Sequence, residues 1–549
     1  MKVQIDNAPA TYQEALTRMA IEKIIPRIWE HDHTVWAPDP EEIANRLGWL
    51  HLPTTMGSQI QRIEEFAHSI REGGFTHVVL LGMGGSSLAP DLLSRVFGTE
   101  SGQLTLSILD STHPAAVQRI ADDIPIDKTL FIVATKSGTT SETLSLFRTF
   151  YLRAVKAVGR NHAGSHFIAI TDPGSPLVEL ADVHAFRDVF LNDPNLGGRY
   201  SALSLFGLIP AALLGLNIHE FLHVAHSAAE TCAPDVALPA NPSAQLGTFL
   251  GTCATEGRDK ATFLLPKAIA PLDDWIEQLI AESTGKDGKG IVPVLETSAS
   301  DATVFNKDRA FIAIRVGEDP LQDVAVRSLI EQGEPVLQIE LADLFEIAGQ
   351  FYLWEFATAI ACHILGVHPF NQPNVESAKQ LARDMADESR RTSKPPQLQG
   401  APISHEEITS FLGAIPEGDY VAIHAYLPPT PELTDALQRL QISIRDRYRV
   451  AVTVGYGPRF LHSTGQLHKG DRGNGHFVQL VSATMPEVAI PDTADSADSS
   501  LSFGSMITSQ ALGDRRALEN GNRPVLTLTA DTAEAEIIQT VARSLTAAS

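Results

Sequence analysis

The stretch LLGMGGSSLAP, Leu80 to Pro90, closes a β-branched and apolar run, THVVLLG (76–82), and passes at once into small residues. A buried strand that ends in glycines and serines and leads into a helix is the junction of a parallel α/β sheet. Working outward, LTLSILD (104–110), TLFIVAT (129–135) and SHFIAIT (165–171) repeat the rhythm at helix-length separations. A second series follows in ATFLLP (261–266), AFIAIRV (310–316), PVLQIEL (335–341), DYVAIHAYL (419–427), RVAVTVG (449–455), GHFVQLV (475–481) and PVLTLTA (524–530), interrupted by helical material from about Asp343 to Gly366. Two doubly wound parallel-sheet α/β domains are the simplest account, 71–235 and 236–549, the second rearranged or carrying an insertion toward its C-terminus. Residues 1–70, with Glu, Arg, Ile and Leu at three- and four-residue spacings, read as a helical flank. The polar stretches 386–404 and 483–500 read as connections, and no short-period repeat stands out.

At 549 residues, 44% hydrophobic and 20% charged, the chain has the composition of an ordinary globular protein with a sizeable core. Lys and Arg number 42 against 66 Asp and Glu, a formal charge of −24, so neither nucleic acid nor an anionic membrane is an expected partner. An anionic ligand must then meet a local basic pocket, a cradle for its charge. The longest apolar run, LFGLIPAALLGL from Leu205 to Leu216, is too short to span a bilayer. The start is charged from Lys2 onward, no export or anchoring signal is visible, and Cys232, Cys253 and Cys362 form no close pairing. Structural thiols in a reducing cytoplasm are expected.

Such a cradle is offered twice. Gly82, Gly84, Gly85, Ser86 and Ser87 let backbone amides and a helix N-terminus approach a phosphate or pyrophosphate. A dinucleotide fingerprint would want Gly or Ala where Ser87 stands, although Asp110, ending the next strand, imitates the ribose-binding acid. IVATKSGTTSET (132–143) then packs Thr135, Lys136, Ser137, Thr139 and Thr140 into a second strand-to-helix turn, an oxyanion cradle from which Ser141 and Glu142 begin a helix. Two such turns at the carboxyl ends of parallel strands can share one crevice.

The GGSS turn followed by TKSGTTSET resembles the sugar isomerase (SIS) domain, and NLGGRYSALSLFGLIPAALLG, from Asn195, resembles the signature of the glucose-6-phosphate isomerase family within that fold. The likeness runs from about residue 70 to 380. It implies two SIS-type domains, a sugar phosphate held by Gly85, Ser86, Thr135, Lys136, Ser137 and Thr140, no cofactor, and a homodimer.

Aldose–ketose interconversion needs a carboxylate base, a cation near the developing enediolate, and an acid–base group for ring opening. PLDDWIEQLIAESTGKDGKG reads as a helix starting after Pro271, with Gln278 and Glu282 on one face and Gly285 just past its end. At a helix C-terminus the dipole and any burial would raise the Glu282 pKa toward neutrality. On its residues alone Glu282 reads more readily as a solvated helix-end carboxylate, the commoner fate of a glutamate, but EQLIAESTGK resembles the family segment whose glutamate moves the proton between C1 and C2. The resemblance also implies Arg199, in GGRYS, as the enediolate's cation, with Gly198 and Gln278 contacting substrate. HPFNQPNVESAK resembles the family segment whose glutamine binds phosphate and whose lysine assists at the ring oxygen, here Gln372 and Lys379.

The histidine departs from the family order. Family members carry it between the glutamate and the lysine, whereas here the stretch from Gly285 to Ile360 contains none. FLHSTGQLHKG, downstream, resembles a displaced version and makes His462 the first candidate and His468 the second. The order Glu, Lys, His resembles the isomerase half of transaldolase–isomerase fusions, without the transaldolase portion. The implied reaction is the interconversion of glucose 6-phosphate and fructose 6-phosphate through an enediol. No His/carboxylate cluster stands at metal-coordinating spacing, the nearest, His219 to His226, reading as an ordinary helix. Two other readings stay open: a non-catalytic SIS-type regulator, which would keep the phosphate turns without Glu282 and Arg199, and an isomerase that also accepts mannose 6-phosphate.

Overall fold

A computed structural model describes residues 2–99, 102–296, 304–392, 396–483, 485–530 and 534–547. The opening strand, β1 (Lys2–Asp6), is followed by β2 (His77–Leu81), β3 (Thr105–Leu109), β4 (Thr129–Ala134), β5 (Phe167–Thr171) and β6 (Asp188–Leu191). β2 to β6 form a parallel sheet in the order β3-β2-β4-β5-β6. Every residue of β4 and β5 is buried, as expected of strands covered by helices on both faces. Although β3 lies between them in the chain, β2 and β4 are hydrogen-bonded neighbours, and the order reverses there. Their carboxyl ends carry the two donor-rich turns, so both turns open onto the crevice where such sheets take their ligands.

The expected second domain, 236–549, with its rearranged or inserted C-terminal segment, contains two sheets. β7 (Lys260–Leu264), β8 (Val292–Leu295), β9 (Arg309–Val316) and β10 (Val336–Leu341) make a second sheet, with β1 added antiparallel along β10. β11 (Ala401–Pro402), β12 (Tyr420–Tyr426), β13 (Ala451–Tyr456), β14 (Gly475–Ser482) and, after the small antiparallel pair β15 (Ala489–Ile490) and β16 (Leu501–Ser502), β17 (Val525–Ala530) build a third. Its order is β11-β17-β14-β12-β13, all parallel. The helical flank is thus headed by a strand. Of the expected connection 386–404, residues up to 392 continue the helix Glu376–Thr392, and 393–395 lie outside the described residues.

One large core spans the first two sheets, from Val78 and Ile132 to Ile312 and Leu337. It includes the helices Leu205–Leu214 and Ile347–Leu365, which are apolar nearly all round; each fully buried large side chain contributes about 1.5–3 kcal/mol. The helix Pro242–Thr255 packs so closely on Ile347–Leu365 that a Cβ on Gly251 would lie 2.8 Å from Ile364. No described helix is long and apolar enough to cross a membrane. The third sheet keeps a separate core around Ile423, Leu437 and Leu480, joined to the rest by a small cluster including Ala281, Val292, Leu467 and Phe477.

Candidate active site

Four segments meet beside the first sheet: the GGSS turn, the turn Gly198–Tyr200, the helix Leu272–Thr284, and the turn Arg459–His462 that follows β13. The glycines are what permit it. A Cβ on Gly85 would overlap the carbonyl oxygen of Gly198, and Gly84, at φ +55°, would bring one within 2.9 Å of the His462 carbonyl oxygen.

Glu282 is buried in the last turn of its helix, whose first turn carries Asp273 and Asp274 at the positive end of the dipole. The guanidinium of Arg199 lies 3.0 Å from its Oε1, a cation the helix-end argument did not include. Gln278 donates from Nε2 to Glu282 Oε2 at 3.0 Å and to the carbonyl of His462 at 2.8 Å, joining the carboxylate to the histidine segment. The other end of that amide, Gln278 Oε1, is buried with no hydrogen-bond partner. Arg199 is only 3% exposed and held on every side. Nε donates to Ser283 Oγ at 2.7 Å, Nη2 to the carbonyls of Pro369 at 2.7 Å and Asn371 at 3.1 Å, and Nη1 to Gln372 Oε1 at 3.2 Å. A guanidinium so fixed loses little freedom when it meets a new anion. Gln372 therefore faces Arg199 through its amide oxygen, rather than a phosphate turn.

In the second turn Thr135 and Thr140 share a hydrogen bond of 2.8 Å, and Ser137 and Thr139 one of 2.9 Å. Lys136 is turned aside: its ammonium pairs with Asp172, which takes up the charge expected to serve the phosphate. Asp110, the imitation of a ribose-binding acid, accepts from Ser87 at 3.3 Å and pairs with Arg459 at 3.3 Å. The same arginine reaches Asp91 at 2.9 Å and Asp274 at 3.6 Å, pinning the turn from β13 onto the first sheet.

His462 places Nε2 3.0 Å from Glu142 Oε1. Burial would raise the Glu142 pKa, but the imidazole's charge and the hydrogen bonds from His462, the backbone and Ser141 outweigh it and hold the carboxyl at about 2. The other two expected ring-opening groups lie elsewhere. Lys379 pairs with Glu376 at 3.0 Å, one turn back on its own helix, which packs against the helix Phe503–Asn520; the described contacts do not link it to Glu282. His468 is buried, with Nδ1 3.2 Å from His424 Nε2, and burial, together with the neighbouring His424, pushes its pKa well below the ordinary value.

The sequence presents Glu142 as the start of a helix and does not single out Arg459, Ser283 or Lys286. Lys286 is 2% exposed with its ammonium on the carbonyl of His368, and burial and the charge of Arg199 drive its pKa well below the usual lysine value. Its place in STGKDG, directly after the base-bearing helix, was the available signal.

Residues 53–302, which contain Glu142, Arg199, Gln278 and Glu282, match the family described as "Phosphoglucose isomerase". A probable glucose-6-phosphate isomerase of Natronomonas pharaonis is 30% identical over 346 residues, 56% of this chain and 78% of that relative. The glucose-6-phosphate isomerase of Rubrobacter xylanophilus is 28% identical over 415 residues, 67% of this chain and 93% of that one. Among solved structures, a hypothetical protein from Thermus thermophilus superposes with a TM-score of 0.61 at 24% identity, covering 70% of this chain and 99% of its own. A glucose-6-phosphate isomerase from Chlamydia trachomatis gives 0.50 at 19% identity, covering 66% and 77%. The two structures speak to the fold alone. With the fold shared, the Glu282 helix and the GGRYS turn inside the matched span, and a relative matched over most of its length, the chain belongs to the phosphoglucose isomerase family.

Proposed function

We propose that the chain interconverts glucose 6-phosphate and fructose 6-phosphate through an enediol, with Glu282 as the base. The observation that carries the reading is the clamp on that carboxylate: Arg199 on one oxygen and Gln278 on the other, with Gln278 also tied to the segment of His462. A carboxylate offers about four lone-pair sites, so Glu282 keeps acceptor capacity for a C–H proton while both contacts stand. Backbone amides of the GGSS turn and the hydroxyls of Ser86, Thr135, Ser137 and Thr140 receive the phosphate. Because Glu142 accepts only, His462 faces it with an Nε2–H and leaves Nδ1 for the sugar. That nitrogen takes the proton of the C1 hydroxyl and hands it to the ring oxygen as the ring opens. Glu282 then takes the proton from C2 and the electron pair moves onto O1 beside Arg199; the O2 proton passes to O1, and the same carboxylate returns its proton to C1 as the C2 carbonyl forms. The unpartnered Gln278 Oε1 is an acceptor for a substrate hydroxyl.

A non-catalytic regulator would need the phosphate turns alone, whereas here a buried carboxylate is kept beside an immobilised guanidinium. The test is to incubate the protein with fructose 6-phosphate in deuterated water and follow glucose 6-phosphate and label at C2. Glu282→Gln is expected to lower kcat by roughly 10³-fold or more with binding retained. An inactive wild type, or a Glu282→Gln variant at full rate, would overturn the reading.

A further inference from the structure

The carboxylate that orients His462 is itself held by a residue from near the far end of the chain. Gln510 lies on the helix Phe503–Asn520 and is 6% exposed. Its Nε2 donates to Glu142 Oε1 at 2.8 Å, the same oxygen that His462 faces at 3.0 Å, while Ser141 donates to Oε2 at 2.9 Å. The direction of the amide is set from behind: Thr112, fully buried after β3, donates to Gln510 Oε1 at 2.8 Å. A glutamine amide has one accepting end and one donating end, so with its oxygen on Thr112 its NH₂ must face Glu142. The chain Thr112–Gln510–Glu142–His462 thus draws on three separate regions, Gln510 standing 368 positions from Glu142 and 398 from Thr112.

We propose that Gln510, oriented by Thr112, is a positioning residue for ring opening: it holds the Glu142 carboxylate so that His462 presents Nδ1 to the sugar. The inference rests on the isomerase reading and adds to it a dependence on the helix Phe503–Asn520, which supplies neither the base nor the arginine. Without the Gln510 donor, Glu142 keeps its charge but loses the contact that fixes Oε1, and the imidazole it orients gains freedom to turn.

Ring opening and closing can be read apart from C1–C2 proton transfer as the exchange of the α and β anomers of glucose 6-phosphate. We would follow it by NMR exchange spectroscopy in the Glu282→Gln background. Gln510→Met, similar in volume without the donor, is expected to slow enzyme-dependent anomer exchange by about tenfold, the effect of one hydrogen bond to a charged group. Thr112→Val should give a smaller loss in the same assay, and Thr112→Ser, which keeps the hydroxyl, should restore the rate. Anomer exchange unchanged in Gln510→Met, or Thr112→Ser no better than Thr112→Val, overturns the proposal. If Gln510→Met does not fold, the two Thr112 variants decide by the same criterion. A wild type that neither exchanges anomers nor isomerises overturns the isomerase reading itself; activity with an indifferent Gln510 overturns only this one.

Discussion

Gln278 and Glu282 stand one turn apart on a single helix, and Arg199 reaches Glu282 from a turn packed on the GGSS loop; their neighbours Leu279, Ile280 and Tyr200 belong to the core shared by the first two sheets. His462 and Glu142 come from segments 320 positions apart, one after a strand of the third sheet and one at the start of the helix Ser141–Val158 that follows β4. The proposed proton-transfer half is therefore assembled beside the first two sheets, with the Gln278 bond to the His462 carbonyl as its tie to the third. The ring-opening half exists only when the third sheet is docked, and Arg459, spread over Asp91, Asp110 and Asp274, is the visible latch. The two steps of the proposed reaction would thus rest on different kinds of structural support.

The sharpest way to break the comparison is at Arg199. Arg199→Met removes the cation in direct contact with Glu282 and leaves three carbonyl or amide oxygens unsatisfied around the gap. We expect kcat for isomerisation to fall by roughly 10³-fold. Anomer exchange, which needs no enediolate, should fall far less. Equal losses in both would mean that the two halves are one device. His462→Asn should do the reverse in proportion, lowering anomer exchange by roughly 10²-fold. Isomerisation should then be limited by the open-chain sugar that forms spontaneously. An undiminished rate of anomer exchange would take the histidine out of the site altogether.

The same contrast governs what could be read from the residues in advance. Apolar runs buried on both faces, such as β4 and β5, announce themselves, and so does a helix with Asp273 and Asp274 at its start and Gly285 at its end. The division of the second half into two sheets does not, because strands of both sheets are equally apolar and only their hydrogen-bonded neighbours separate them. β1 is half exposed and finds its partner only at Val336–Leu341, so its short pattern was absorbed into a helical flank. Arg199 and Glu282 could be singled out because each lies in a contiguous segment with a recognisable neighbourhood. Glu142 gave no such sign: its neighbours specify a helix start, and what makes it a partner for His462 is the docking of distant chain. Lys379 shows the converse, a residue in a recognisable segment whose helix packs against a C-terminal helix and whose ammonium is taken by Glu376.

The smallest expected effect concerns a buried carboxylate, Glu142, and a half-buried one, Glu277, on either side of the histidine segment. Glu142 is held at about 2, whereas burial and the neighbouring charge of Asp274 push Glu277, which accepts from Ser463 at 3.0 Å, up to about 8 from an ordinary 4.5. Their contributions to stability run in opposite directions. For Glu142 the folded state binds its proton less tightly than the unfolded chain, so its contribution is present above about 4.5 and lost as pH falls toward 2. For Glu277 the folded state binds its proton more tightly, so between pH 4.5 and 8 the unfolded chain ionises first and stability falls as pH rises. One such group changes the unfolding free energy by at most about 1.4 kcal/mol per pH unit. Glu277→Gln keeps a neutral partner for Ser463 and removes that slope. Urea unfolding of wild type and variant at pH 5 and pH 8 should show the variant gaining on the wild type as pH rises. A constant difference between the two pH values would mean that Glu277 is already ionised beside the histidine turn, and that this turn tolerates a second buried charge.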